Sequence, residues 1–171
     1  NLDYSAAEYG AVVAVGYLAG FVVGSPLAAW SMNRLGRRWT CSGFYVLAAV
    51  SIFTLFQAES PDMLVQMALM SLTVVSFLGA NAATNTYATE LFPTAIRATG
   101  YSWTTNLFGR VMEFGTPALI GALAIEIGIP WAVGVTAIGP VLGALVVLLY
   151  APETRGLTLE EIEAGLGTGA H

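Results

Sequence analysis

From Tyr9 to Asn33 the chain carries no charged side chain, and nearly every residue is apolar or small. A run of that length crosses the hydrocarbon core of a bilayer as a helix, which takes about 20 residues. Four more such runs follow, separated by short polar stretches. In lipid each backbone N–H and C=O must find its partner within the protein, which leaves helices or a closed barrel. Runs this long and without alternating polarity point to helices. Only 10% of the residues are charged, against about a quarter in a soluble domain, so a water-soluble helical bundle is the weaker reading.

The expected fold is therefore an all-α membrane protein with five spans at about 9–32, 39–57, 62–89, 98–125 and 131–150. These make a bundle over residues 1–152, followed by a tail, 153–171, with a short amphipathic helix. Gly10, Gly16, Gly20 and Gly24 suit close approach between helices in lipid, and Pro26 should kink the first span. Ser60 is the expected N-cap of the third span, with Pro61 as its first helical residue. Thr158 stands three residues before Glu161, the spacing of a capping box.

The chain has no lysine, and its arginines decide orientation. Arg34, Arg37, Arg38, Arg97 and Arg155 fall on alternate loops, on the same side as the C-terminus, while the opposite loops hold only acidic charges. The positive-inside rule then puts the N-terminus outside and the C-terminus in the cytoplasm; a bacterial inner membrane is the expected location. Cys41 and His171, alone of their kinds, allow neither a disulfide nor a metal set. No basic patch interleaved with aromatics suggests nucleic acid. No Ser/His/Asp set or phosphate-cradling loop suggests an enzyme. No cofactor is expected.

Three polar words punctuate the arginine-bearing side. They are Asn33-Arg34-Leu35-Gly36-Arg37-Arg38, Glu90-Leu91-Phe92-Pro93-Thr94 with Arg97, and Pro152-Glu153-Thr154-Arg155-Gly156 followed by Leu159-Glu160-Glu161-Ile162. In the second, Pro93 ends the third span, and Glu90 and Arg97 are expected to sit close enough to pair. The three words in this order resemble the loop signatures of the major facilitator superfamily, and the third is similar to the tail of its sugar porters. Asn33 stands where the family usually has Asp, and Gly79-Ala80-Asn81-Ala82-Ala83 replaces the Gly-Pro-x-Pro-Trp run of sugar porters. Asn106-Leu107-Phe108-Gly109-Arg110 is more similar to its organic-acid and metabolite:proton symporters.

The resemblance implies that the chain supplies the eighth to twelfth helices of a twelve-helix transporter, most of its C-terminal six-helix bundle. Its partners are then the lipid bilayer, a small solute, a proton and the preceding helices of the same protein. It also implies that Arg34, Arg37, Arg38, Glu90, Arg97, Glu153 and Arg155 form a cytoplasmic salt-bridge network. Such a network ties helix ends together in one state and separates in the other.

Inside the spans, Arg110 and Glu113 are spaced to share a helix face. Arg110 lies about 20 Å beyond Arg97, near mid-membrane. A charge at that depth costs a few kcal/mol, so the pair is either a self-neutralising structural element or the lining of a polar cavity. In the second case Arg110 would hold a carboxylate and Glu113 would be the proton-coupling site. Ser102, Asn106 and Pro117 extend the same stripe; Asn81 and Asn85 make another on the third span, with Tyr17 on the first a weaker solute contact. The function expected is secondary active transport of a small polar solute, as proton-coupled symport of an organic acid or other metabolite by alternating access. Sugar symport and solute sensing without transport are the alternatives.

Overall fold

A computed structural model describes residues 5–58, 62–157 and 160–162, except the side chains of Thr104 and Phe108. Five long helices account for nearly all of it: α1 (Ala6–Leu35), α2 (Arg37–Gln57), α3 (Met63–Leu91), α4 (Arg97–Ile127) and α5 (Ile129–Tyr150). Each is long and apolar enough to cross a membrane.

A reciprocal cap starts α1. The Ser5 hydroxyl accepts from the Glu8 N–H at 3.3 Å, and the Glu8 carboxylate accepts from the Ser5 N–H at 2.8 Å, which satisfies two of the donors a helix start leaves free. The same job at α3 falls to Asp62, whose carboxylate accepts from Leu64 N–H at 2.9 Å. The Ser60–Pro61 cap expected there lies outside the described residues, as does Thr158; residues 160–162 are helical.

Proline shapes the interior of three helices. In α1 the hydrogen-bond register slips into a π turn over Gly20–Gly24, directly before Pro26, because the proline has no N–H to return to the preceding turn. In α5 the helix tightens at Ala137, whose N–H bonds Gly134 at 3.1 Å, three residues before Pro140. Pro117 sits inside α4, beyond a second π turn at Trp103–Phe108.

Packing centres on α3. Against α1 the approach is backbone to backbone: a Cβ on Gly24 would lie 2.7 Å from the Val75 carbonyl oxygen and 3.3 Å from Gly79 N. Without an apolar solvent penalty between helices, close van der Waals contact of this kind is what holds them. Against α2, Cys41 and Phe44 join Ala80, Ala83 and Tyr87, with Ala28 and Met32 of α1 completing the core. Tyr45 and Thr84 exchange a hydrogen bond of 2.9 Å across the same seam. Buried hydroxyls such as Ser42 and Ser76 bond the carbonyl four residues back, at 2.9 and 2.6 Å, so they cost little in a dry core.

Helix α5 covers the outer side of α2, where Phe53 meets Trp131 edge-on at 6.2 Å. Helix α4 stands apart. It packs on the first half of α5 and touches α3 only through its first turns. None of its described side chains is buried. Gly128 alone, at φ 81°, links α4 to α5.

Candidate functional site

Two groups of polar side chains stand out, one at the arginine-bearing end and one within the spans.

At the first, Gly36 separates α1 from α2 with φ 96° and ψ 169°, a region only glycine occupies without strain. That turn leaves the first N–H groups of α2 pointing at the exit of α5. Glu153 fills the position: its carboxylate accepts from Arg37 N at 2.8 Å and Arg38 N at 3.2 Å, and folds back to Arg155 N at 3.1 Å. An anion at a helix N-terminus meets both free donors and the positive end of the helix dipole. A second carboxylate, Glu90 in the last turn of α3, takes the Arg37 guanidinium through Nε at 3.2 Å and Nη2 at 3.1 Å. It also accepts from the Thr154 hydroxyl at 2.6 Å. Both partners of the ion pair are largely covered, with 22% of the Arg37 and 17% of the Glu90 side chain exposed, so solvent screening is weak and two-point geometry counts.

Two further contacts close the cluster. Arg38 donates from Nη2 to the Leu148 carbonyl, and the Tyr87 hydroxyl donates to the Pro152 carbonyl. The exit of α5 is thus tied to both the α1–α2 turn and the end of α3.

The expected partnership of Glu90 with Arg97 is not formed. Arg97 is spent on the α3–α4 turn, where Nε bonds the Phe92 carbonyl at 3.3 Å and Nη2 the Thr94 hydroxyl at 3.4 Å. Phe92 is extended before Pro93 (φ −88°, ψ 131°), which exposes that carbonyl to the arginine. Arg34 also stays out of the cluster and lies over the Trp30 ring at 5.8 Å. Charge pattern alone does not single out Thr154 and Gly36, which the fold brings into the cluster. Thr154 is neutral, yet 2% exposed and bonded to Glu90. Beside the cluster, Ser25, Ala29, Asn33, Arg37 and Thr86 line a cavity of about 170 Å³ between α1 and α3.

Within the spans, Arg110 and Glu113 form an ion pair of 2.9 Å, each side chain 64% exposed. The Asn85 amide donates to the Asn81 carbonyl oxygen at 2.8 Å. Among the described residues, Asn106, in the π turn of α4, and Tyr17, half-exposed on α1, bond to neither pair. The Arg110–Glu113 stripe is covered by none of the other four helices.

The five apolar helices agree with comparison to known proteins. Residues 1–167 match the model of the Major Facilitator Superfamily. The chain belongs to that superfamily. It is similar to a Bacillus subtilis protein named, provisionally, for niacin/nicotinamide transport (34% identity over 78% of this chain and 33% of that protein). It is also similar to the niacin transporter NiaP of Acinetobacter baylyi (29% identity, 91% of this chain, 34% of the relative). A third relative is the cis,cis-muconate transport protein of the same species (35% identity, 64% of this chain, 26% of the relative). The chain spans about a quarter to a third of the length of these relatives. With five apolar helices in this superfamily, it is a multi-pass integral membrane protein.

Proposed function

We propose that this chain is the C-terminal part, helices eight to twelve, of a secondary active transporter that moves a small organic acid together with a proton. The observation that carries the reading is the Arg110–Glu113 pair, at 2.9 Å on one face of α4 and roughly 20 Å along it from Arg97. Arg110 is always charged and offers a fork that matches a carboxylate. When a solute carboxylate replaces Glu113 on that fork, Glu113 is released to take up a proton, which links the two loads. The names of the relatives support the class of solute, since niacin and cis,cis-muconate are small acids.

The cluster of Arg37, Arg38, Glu90, Glu153 and Thr154 supplies the gate. It lies on the arginine-rich side, which the positive-inside rule makes cytoplasmic, and it closes that side by tying α5 to α2 and α3. Opening the side breaks the bonds together, so the network biases a two-state equilibrium. Five helices alone do not transport, because alternating access needs two halves rocking about a central site.

The test is pH-driven uptake of radiolabelled organic acids by the full-length transporter in proteoliposomes, with Arg110→Ala and Glu113→Gln alongside. Arg110→Ala should abolish uptake, and Glu113→Gln should keep solute exchange but lose pH-driven accumulation. Wild-type behaviour in both variants would make the pair structural and end this reading; solute binding without uptake by the unmodified protein would make it a sensor.

A further inference from the structure

Helices α2 and α5 pack on each other but leave a groove of about 440 Å³ between them. Ala49 and Gly134 are buried in its wall and Ala137 is half-buried, while Phe53, Ile138 and Val141 stand exposed beside them. Small side chains on both helices are what leaves the space. Thr54 also lines the groove, but its hydroxyl bonds the Val50 and Ser51 carbonyls of its own helix at 2.9 and 3.0 Å. The wall therefore offers little to a polar ligand. Gly134 to Val141 lie about 5–15 Å along α5 from Trp131, in the half of the span farther from the arginine cluster.

The surroundings indicate what fills it. Trp131 is exposed at the start of α5, and Trp39 and Tyr150 are exposed near the other ends of this helix pair. From Trp131 to Tyr150 the rise is about 28 Å, close to the roughly 30 Å of a hydrocarbon core. Tryptophan and tyrosine gather at the two membrane–water interfaces, so this face lies against lipid and the groove sits within one leaflet. The polar stripes that need protein over them are elsewhere, with Asn81 and Asn85 on α3 and Arg110 and Glu113 on α4. A further helix, about 10–12 Å across, would bridge a cleft between two packed helices, whereas an acyl chain is narrow enough to lie in it. Lipid tails are as apolar as the groove, so contact rather than transfer drives binding. A chain touching both helices gains dispersion contacts that an unfilled groove forfeits.

We propose that the α2–α5 groove binds one acyl chain of a phospholipid from the leaflet farther from the arginine cluster, and holds it in preference to the surrounding lipid. This site is separate from the solute and from the cluster that ties α5 to α2 and α3.

The test is photolabelling of the full-length transporter in detergent with phosphatidylcholine that carries a diazirine midway along one acyl chain, followed by mapping of the adducts. Groove residues should saturate at a low probe fraction, whereas other lipid-facing residues should label in proportion to the probe. Ala137→Leu should cut groove labelling about fivefold or more, the least that overpacking an occupied site implies. Val141→Phe, which fills the groove one turn further along α5, should do the same. Gly139→Leu is the control, since a Cβ there has nothing within 4 Å, and should label like wild type. Unchanged labelling outside the groove shows that each variant is folded. The proposal is overturned by a wild-type groove that stays unlabelled, as it would beneath another helix of the same protein. Groove labelling that rises in proportion to the probe, or that persists in both filled variants, overturns it as well.

Discussion

Placing a methyl group on Gly36 tests the junction between α1, α2 and the exit of α5. At φ 96° and ψ 169° any side chain is strained, at a cost of about 1–3 kcal/mol. A Cβ there would also lie 2.5 Å from Glu153 Oε2 and 2.7 Å from its carboxyl carbon, so the carboxylate must leave the start of α2. Losing a helix cap of this kind costs about 1–2 kcal/mol more. Together these give roughly 2–5 kcal/mol for Gly36→Ala, or on the order of 10 °C in melting temperature for a bundle of this size. The assay is thermal unfolding of the purified full-length protein in detergent. Gly43→Ala is the control, since nothing lies within 4 Å of a Cβ at that position in α2, and alanine is the better helix former by about 1 kcal/mol. The second arm is Glu153→Ala. In that background Gly36→Ala should cost only its backbone strain, and the shortfall from additivity measures the clash with the carboxylate. If Gly36→Ala melts with wild type, or costs the same with and without Glu153, the capping argument is wrong.

Two further expectations follow from the packing. Gly24→Ala, with its Cβ 2.7 Å from the Val75 carbonyl oxygen, should push α1 off α3 and destabilise by about 1–3 kcal/mol; Gly10→Ala, in open space, should not, and the same unfolding assay compares them. Cys41, 1% exposed in the core beneath the cluster, should resist maleimide in the wild-type protein. Glu90→Ala, which removes the partner of both Arg37 and Thr154, should raise its labelling rate severalfold, and an unchanged rate would mean the ion pair does not hold this end closed.

Much of the molecule was legible in the sequence because hydrophobicity and helical spacing are local. An uncharged run such as Tyr9 to Asn33 has one solution in lipid, and the five apolar runs are five helices. Arg110 and Glu113, three residues apart, meet at 2.9 Å because the helix itself brings that spacing together. Asn81 and Asn85 meet for the same reason. What the sequence could not supply was the choice among distant partners. Glu90 has Arg97 seven residues away and Arg37 fifty-three away, and it bonds Arg37. Chain proximity favours the first pairing, but the turn at Phe92 and Pro93 gives Arg97 a nearer carbonyl, and packing of α2 on α3 brings Arg37 to the carboxylate. Likewise the sequence placed Glu153 among charges on one face, while only the fold made it the cap of α2, because a capping anion is defined by where a helix from another part of the chain happens to begin.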